Sequence, residues 1–128
     1  MSKGRILIAD DTAMFRAMLK DSLERAGYEV VGEAANGAEA VELYQTLSPD
    51  LVAMDLVMPE TNGIVAIETI RERDPEACIL GCSALGQEKF VNQALEAGAV
   101  GFISKPFDEE RVLAAVGDAL AGRPIGPG

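Results

Sequence analysis

Residues 6–11 read Ile-Leu-Ile-Ala-Asp-Asp, a short apolar run that ends in two adjacent carboxylates. Such a run is too short for a helix, and its β-branched residues favour a buried strand. Four more runs of this kind follow along the chain, at residues 30–34, 51–54, 79–82 and 101–104. The sequence therefore predicts five strands that are buried in the protein.

The segments between these runs carry apolar residues three and four positions apart, which is the spacing of one helix face. The first of them contains Met14, Phe15, Met18, Leu19 and Leu23. Gly27 and Gly98 each follow an alanine at points where a helix needs a left-handed residue to end. Strands that alternate with helices form a parallel sheet with helices on both faces. We therefore predict a doubly wound α/β fold.

The chain has 128 residues, of which 48% are hydrophobic, and this length and composition fit one compact domain. We predict that residues 1–121 form this domain. Residues 122–128 are rich in glycine and proline and have no apolar periodicity. We predict that they form a flexible tail or the start of a linker.

The charge balance excludes several functions. The chain has 21 acidic and 11 basic residues and a net charge of −10, which disfavours direct binding to nucleic acid or to anionic membranes. We find no signal peptide and no apolar run that is long enough to cross a membrane, so we expect a cytoplasmic protein.

The two cysteines, Cys78 and Cys82, match no redox or zinc spacing, and we predict buried free thiols.

Polar side chains follow four of the five predicted strands. Asp10 and Asp11 end the first strand, Asp55 the third, Ser83 the fourth and Lys105 the fifth. Ligands of open α/β sheets bind at the carboxyl ends of the strands. If the first and third strands are neighbours, the three carboxylates meet in one crevice.

Three carboxylates at close range need a counter-charge, because like charges repel strongly in a partly buried site. Mg²⁺ fits this donor set, since it binds one or two carboxylates together with a phosphate. Lys105 would neutralise a phosphoryl oxygen, and the Ser83 hydroxyl would donate to another. Asp55 is best placed as the nucleophile, and its attack on phosphorus would give an acyl phosphate.

Each of these residues also has a simpler explanation when it is taken alone. Asp10 or Asp11 could cap a helix N-terminus, Asp55 and Ser83 could lie in turns, and Lys105 could be a solvated surface amine. Unrelated structural causes do not explain why four strand ends carry carboxylates, a hydroxyl and an amine that can act together on one phosphoryl group. The combination therefore favours a phosphoryl site.

The sequence carries four further segments of note, which are Ile-Ala-Asp-Asp at 8–11, Met-Asp-Leu-Val-Met-Pro at 54–59 with Gly63, Cys-Ser-Ala at 82–84 and Lys-Pro-Phe at 105–107. In these segments, and from about Lys3 to Leu120, the chain resembles response-regulator receiver domains. The resemblance implies a flavodoxin-like sheet with strand order 2-1-3-4-5. It also implies a cis peptide bond between Lys105 and Pro106.

The resemblance implies that Asp55 accepts a phosphoryl group from the phosphohistidine of a histidine kinase. Asp11, Asp55 and the backbone carbonyl of Val57 would bind Mg²⁺ directly, and Asp10 would bind it through water. In the family, the positions of Val57 and Leu85 tune the access of water to the acyl phosphate. Both side chains are apolar here, so we expect neither to orient an attacking water.

The resemblance also implies that Ser83 and Lys105 contact the phosphoryl group. Movement of Ser83 would open space for Phe102, the switch aromatic, to rotate inward. Many relatives have tyrosine at this position, and Phe102 lacks its hydroxyl; taken alone, Phe102 could be a core aromatic. The signal would reach the face formed by the fourth helix, fifth strand and fifth helix. Exposed candidates on that face are Gln87, Glu88, Lys89 and Asp108.

Among receivers, residues 15–21, 32–37 and 82–87 are most similar to those of single-domain chemotaxis regulators. This resemblance implies a monomer whose partners are a chemotaxis histidine kinase and a flagellar motor switch protein or another output protein. The domain would catalyse only its own phosphotransfer and slow autodephosphorylation, so it is not an enzyme in the ordinary sense.

Two alternatives remain open. The chain could be a receiver cut from a multidomain transcriptional regulator, with residues 122–128 as the linker. It could also be a Mg²⁺-dependent phosphatase of the haloacid-dehalogenase type, which forms an aspartyl phosphate as well. Those enzymes place a second aspartate two residues after the nucleophile, where this chain has Val57. A nucleotide hydrolase would need a Walker loop, and the sequence has none.

Overall fold

The computed structural model describes residues 3–58, 62–84 and 86–122 and shows an alternating α/β chain. Its elements are β1 (Arg5–Ala9), α1 (Ala13–Arg25), β2 (Glu29–Ala34), α2 (Gly37–Leu47), β3 (Leu51–Asp55), α3 (Gly63–Arg73), β4 (Ile79–Ser83), α4 (Glu88–Ala97), β5 (Gly101–Ser104) and α5 (Glu109–Leu120). All five predicted strands are present, and their bounds differ from the predicted ones by at most one residue. The predicted doubly wound α/β fold is confirmed.

The sheet is parallel throughout, with the strand order β2-β1-β3-β4-β5. The chain winds in one direction from β1 to β2 and in the other from β3 to β5. The order reverses between β1 and β3, so the crevice at their carboxyl ends is the topological switch point. The predicted order 2-1-3-4-5 is confirmed.

Helices cover both faces of the sheet and give the domain two apolar layers. On one face, α1 and α5 bury Leu23 and Val116 against the strands. On the other face, α2, α3 and α4 bury Ala40, Ile67 and Val91. Both layers pack against β1 and β3, and so position the crevice at their ends.

The prediction that all five strands are buried was wrong for β2. Within Glu29–Ala34 only Ala34 is fully buried. The cause is the position of β2 at the edge of the sheet, where β1 is its one partner among the described residues. The other edge strand, β5, alternates buried and half-buried residues. The central strands β3 and β4 are buried along their whole length.

Among the described residues, four left-handed residues lie at helix ends, and the sequence predicted two of them. Gly27 (φ 103°) and Gly98 (φ 119°) adopt the left-handed conformation where α1 and α4 end. Ser48 (φ 46°) does the same after α2, which the sequence pattern did not indicate. Asn62 caps α3, where its side chain accepts a hydrogen bond from the Val65 N–H at 2.9 Å.

Both cysteines are free, but they differ in burial. Cys82 is buried, as predicted, whereas Cys78 is only half-buried, so the prediction was wrong for that thiol. The cause is that Cys78 precedes β4 and faces the end of α5, where its Sγ donates to the Ala119 carbonyl at 3.6 Å.

Of the predicted tail, residues 123–128 lie outside the described residues. None of the helices in the described ranges is long and apolar enough to cross a membrane.

Candidate functional site

Three carboxylates meet at the switch point of the sheet. Asp10 and Asp11 follow β1, and Asp55 ends the neighbouring strand β3. One carboxylate oxygen from each residue lies within 4.8 Å of the other two. Asp10 and Asp55 are buried, with 3% and 4% of their surface exposed, whereas Asp11 is exposed to solvent. The crevice is therefore negative at its base and open at its mouth.

Lys105 supplies the positive charge at this site. It comes directly after Ser104, the last residue of β5, and its peptide bond to Pro106 is cis. The Lys105 Nζ lies 2.7 Å from Asp10 Oδ2 and 3.4 Å from Asp55 Oδ2. One ammonium group therefore faces both buried carboxylates.

Burial and neighbouring charges shift the pKa values of Asp55 and Lys105. Burial is the main cause that raises the pKa of Asp55 to about 7, and the charge of Asp10 raises it further. Lys105 and the Val57 N–H offset part of that rise. Burial would lower the pKa of Lys105, but the hydrogen bond to Asp10 and the charges of both aspartates together raise it. One lysine is thus not enough to neutralise the cluster.

Backbone groups fix the carboxylates in place. Asp10 Oδ1 accepts from the Thr12 N–H at 2.9 Å, and Asp55 Oδ1 accepts from the Val57 N–H at 3.3 Å. The N-cap position of α1 belongs to Thr12, which makes no side-chain capping bond. The alternative that Asp10 or Asp11 serves as a helix cap was therefore wrong.

The donor set fits a hard divalent cation. The described residues offer only oxygen ligands here, namely the carboxylates of Asp10, Asp11 and Asp55. Carboxylate oxygens with room for retained waters suit Mg²⁺ better than a transition metal, which prefers nitrogen or sulfur ligands. The exposed side of Asp11 leaves the mouth of the site open to water and to a phosphoryl group.

Ser83 and Phe102 border a groove next to the carboxylates. Ser83 ends β4 and is 5% exposed, and the half-buried Phe102 lies on β5. Together with Lys105 they line a cavity of about 410 Å³ between α4 and β5. The groove therefore connects the site to the α4–β5 surface.

The residues that we predicted to be exposed near α4 and α5 differ in their exposure to solvent. Glu88, Lys89 and Asp108 are exposed. The expectation that Gln87 is exposed was wrong, because its Oε1 accepts from the Ala84 N–H at 2.7 Å and the side chain is half-buried. Val57 and Leu85 are the two positions that tune the access of water in the family. Val57 is 41% exposed, and Leu85 lies outside the described residues.

Sequence reasoning missed two supporting residues. The Arg16 guanidinium donates to the Asp10 carbonyl at 2.6 Å and pairs with Glu33 at 3.2 Å. The Phe15 ring lies beneath Lys105, with 4.4 Å from Nζ to the ring centroid. Both residues belong to the first turns of α1. The one available signal was that this helix starts directly after the aspartates, so that its first turns border the site.

Removing one buried charge is expected to stabilise the metal-free protein. Since the folded-state pKa of Asp55 is about 7 rather than 3.8, its carboxylate destabilises the fold increasingly as the pH rises from about 4 to about 7. An Asp55→Asn variant lacks this penalty, so at neutral pH its melting temperature in EDTA should exceed the wild-type value by about 5 °C. Thermal unfolding across this pH range measures the effect. An advantage that stays constant with pH would contradict the assignment.

Comparisons with known proteins agree with this geometry. A family model described as "Response regulator receiver domain" matches residues 6–117. The chain is 56% identical to the chemotaxis protein CheY of Thermotoga maritima over 112 residues, which are 88% of this chain and 93% of that protein.

Two solved structures are also similar to it. A two-component response regulator of the LuxR family from Aurantimonas sp. is 40% identical, with a TM-score of 0.90 over 96% of this chain and 89% of that one. The CheX–CheY–BeF3–Mg²⁺ complex from Borrelia burgdorferi is 36% identical, with a TM-score of 0.81 over 85% of this chain and 83% of that one.

Proposed function

Because the chain belongs to the response-regulator receiver family, we propose that Asp55 is its phosphoacceptor and that the domain uses Mg²⁺. The observation that carries this proposal is the convergence of Asp10, Asp11 and Asp55 within 4.8 Å, with the Lys105 ammonium 3.4 Å from Asp55. The chain is a two-component response regulator, and it acts as a signalling protein. Its own residues perform the phosphotransfer.

In the proposed reaction, a carboxylate oxygen of Asp55 attacks phosphorus while the bond to the phosphohistidine nitrogen of a histidine kinase breaks. That nitrogen leaves with the bonding electron pair, and Asp55 becomes an acyl phosphate. Asp11, Asp55 and the Val57 carbonyl would hold Mg²⁺, and Asp10 would reach it through water. The bound ion supplies charge stabilisation for the phosphoryl oxygens. Water later hydrolyses the acyl phosphate in slow autodephosphorylation.

Lys105 and Ser83 would hold the transferred group. The Lys105 ammonium already faces Asp55, so it can neutralise a phosphoryl oxygen without a large movement. The Ser83 hydroxyl would donate to another phosphoryl oxygen and draw the end of β4 toward Asp55. Ser83 and Phe102 line the same cavity, so this movement would let the Phe102 ring turn inward. The altered α4–β5–α5 face would then bind an output protein.

We propose a role in chemotaxis in the cytoplasm. The support is the 56% identity to the Thermotoga maritima CheY, compared with 40% to the LuxR-family regulator. The partners would be a chemotaxis histidine kinase and a flagellar motor switch protein, and the CheX of the Borrelia complex suggests a second type of partner. We further propose that the receiver at residues 1–121 is monomeric. A receiver within a multidomain transcriptional regulator is the second candidate, which the LuxR-family neighbour favours.

Intact-protein mass spectrometry tests the phosphoacceptor. The protein is incubated with Mg²⁺ and a small acyl phosphate donor, beside an EDTA control and an Asp55→Asn variant. We expect the wild type to gain one phosphoryl group in a Mg²⁺-dependent manner and the variant to gain none. An equal gain in both proteins would refute the role of Asp55. A wild type that binds Mg²⁺ but gains no phosphoryl group from donor or kinase would refute the proposed function.

A further inference from the structure

An aromatic side chain contacts the lysine of the site. The Lys105 Nζ lies 4.4 Å from the centroid of the Phe15 ring, within the range of a cation–π interaction. The same nitrogen is 2.7 Å from Asp10 and 3.4 Å from Asp55. Two anions and one π-face therefore surround the ammonium, and its side chain is only 11% exposed.

A second ring holds the first one in place. The Phe107 ring meets the Phe15 ring edge to face, with 5.7 Å between the centroids and 83° between the planes. Phe107 lies two residues after Lys105, and Phe15 lies four residues after Asp11. The segment that carries the lysine and the helix that follows the carboxylates are thus joined through this ring pair.

Phe15 is poorly explained as a core residue. It is half-buried, and among the described residues it is not one of the half-buried side chains that pack against either apolar layer. Phe107 does pack against the α1–α5 layer. Two contacts of Phe15 that the structure does show are those with the Lys105 ammonium and with the Phe107 ring.

We propose that Phe15 is a positioning residue for phosphotransfer and acts through Lys105. This inference rests on the proposed function. A lysine ammonium is strongly hydrated and sits on a flexible stem. When Asp55 becomes an acyl phosphate, the 3.4 Å ion pair is exchanged for a phosphoryl oxygen, and Asp10 competes for the same ammonium. The π-face of Phe15 attracts the cation throughout this exchange and keeps water away from one side of it.

The test compares three variants of the full chain. Phe15→Leu removes the π-face but keeps an apolar side chain, and Phe15→Tyr keeps the π-face. Tyr28→Leu is the matched control, because it removes a ring that faces Lys3 at 5.9 Å and that lies before β2, at the opposite end of the sheet from the site. Two readouts are taken: the NMR shifts of the Lys105 ε-methylene, which a ring face moves upfield, and the rate of phosphorylation by a small acyl phosphate donor with Mg²⁺.

We expect Phe15→Leu to abolish the upfield shift and to lower the phosphorylation rate roughly tenfold, whereas Phe15→Tyr restores both. The Tyr28→Leu control should leave both readouts unchanged. In a Lys105→Gln background, Phe15→Leu should slow the residual rate no further, because the ring acts through the lysine.

Three results would overturn the role of Phe15. They are a wild-type Lys105 without an upfield shift, a Phe15→Leu protein that is phosphorylated as fast as the wild type, and a slow Phe15→Tyr protein that keeps the shift. Each of them leaves the proposed function intact if the wild type accepts a phosphoryl group on Asp55. A wild type that accepts none refutes the proposed function itself, and the role of Phe15 with it.

Discussion

Replacing Gly63 with alanine is expected to lower the free energy of unfolding by about 3 kcal/mol or more and to displace the proposed phosphoacceptor. A Cβ at residue 63 would clash with the Asp55 carbonyl oxygen, and it would lie 2.9 Å from both the Asp55 carbonyl carbon and the Leu56 Cα. All three atoms belong to the backbone of one buried segment, so no side chain can rotate away. Either α3 or the end of β3 must move.

The loss should appear as a melting temperature at least about 10 °C lower and as a weaker Mg²⁺ affinity. Gly117→Ala is the matched control. Gly117 lies inside α5, and among the described residues a Cβ there would meet only the Tyr28 hydroxyl, at 3.8 Å. This control should stabilise the protein by about 0.5–1 kcal/mol, because alanine favours a helix. If Gly63→Ala is as stable as the wild type, the close packing of α3 on Asp55 is refuted.

The sequence predicted the sheet well because burial and chain connectivity leave few options. Central strands such as β3 and β4 are short apolar runs between amphipathic segments, and a parallel sheet is the structure that buries them. The order of the strands required the family resemblance, since local patterns do not encode which strands are neighbours. The exposure of β2 was mispredicted for the same reason, because an edge position depends on topology.

The charged residues of the candidate site were recognisable because polar groups at the ends of apolar strands break a pattern. Supporting residues break no pattern. Phe15 and Arg16 belong to an ordinary helical segment. Their contacts with Lys105 and Asp10 depend on the orientation of α1 relative to the crevice. Gln87 was mispredicted because a polar residue can satisfy a local backbone N–H instead of facing solvent. The contacts of Phe15 and Arg16 are thus set by tertiary geometry, whereas the Gln87 contact is a local one.

Replacing Lys105 with methionine is expected to destabilise the metal-free protein by about 3 kcal/mol at neutral pH. The substitution roughly preserves the apolar length of the side chain but removes the ammonium that faces Asp10 and Asp55. Both carboxylates are buried, so they would keep their desolvation cost without a counter-charge. The deficit should shrink as the pH falls, because the pKa of Asp55 is raised by burial and its carboxylate becomes protonated in the folded state.

Urea unfolding in EDTA and in Mg²⁺ measures this effect. Lys20→Met is the matched control, because it also removes a lysine from an ion pair, but that pair is an exposed one, at 3.8 Å from Glu33, and should contribute less than about 1 kcal/mol. Adding Asp55→Asn to Lys105→Met should restore much of the lost stability, and so should Mg²⁺, since either one relieves the repulsion. If the double variant is as unstable as Lys105→Met, the lysine stabilises the fold through packing and not through its charge. If Mg²⁺ stabilises neither the wild type nor Lys105→Met, the carboxylates are not a metal site.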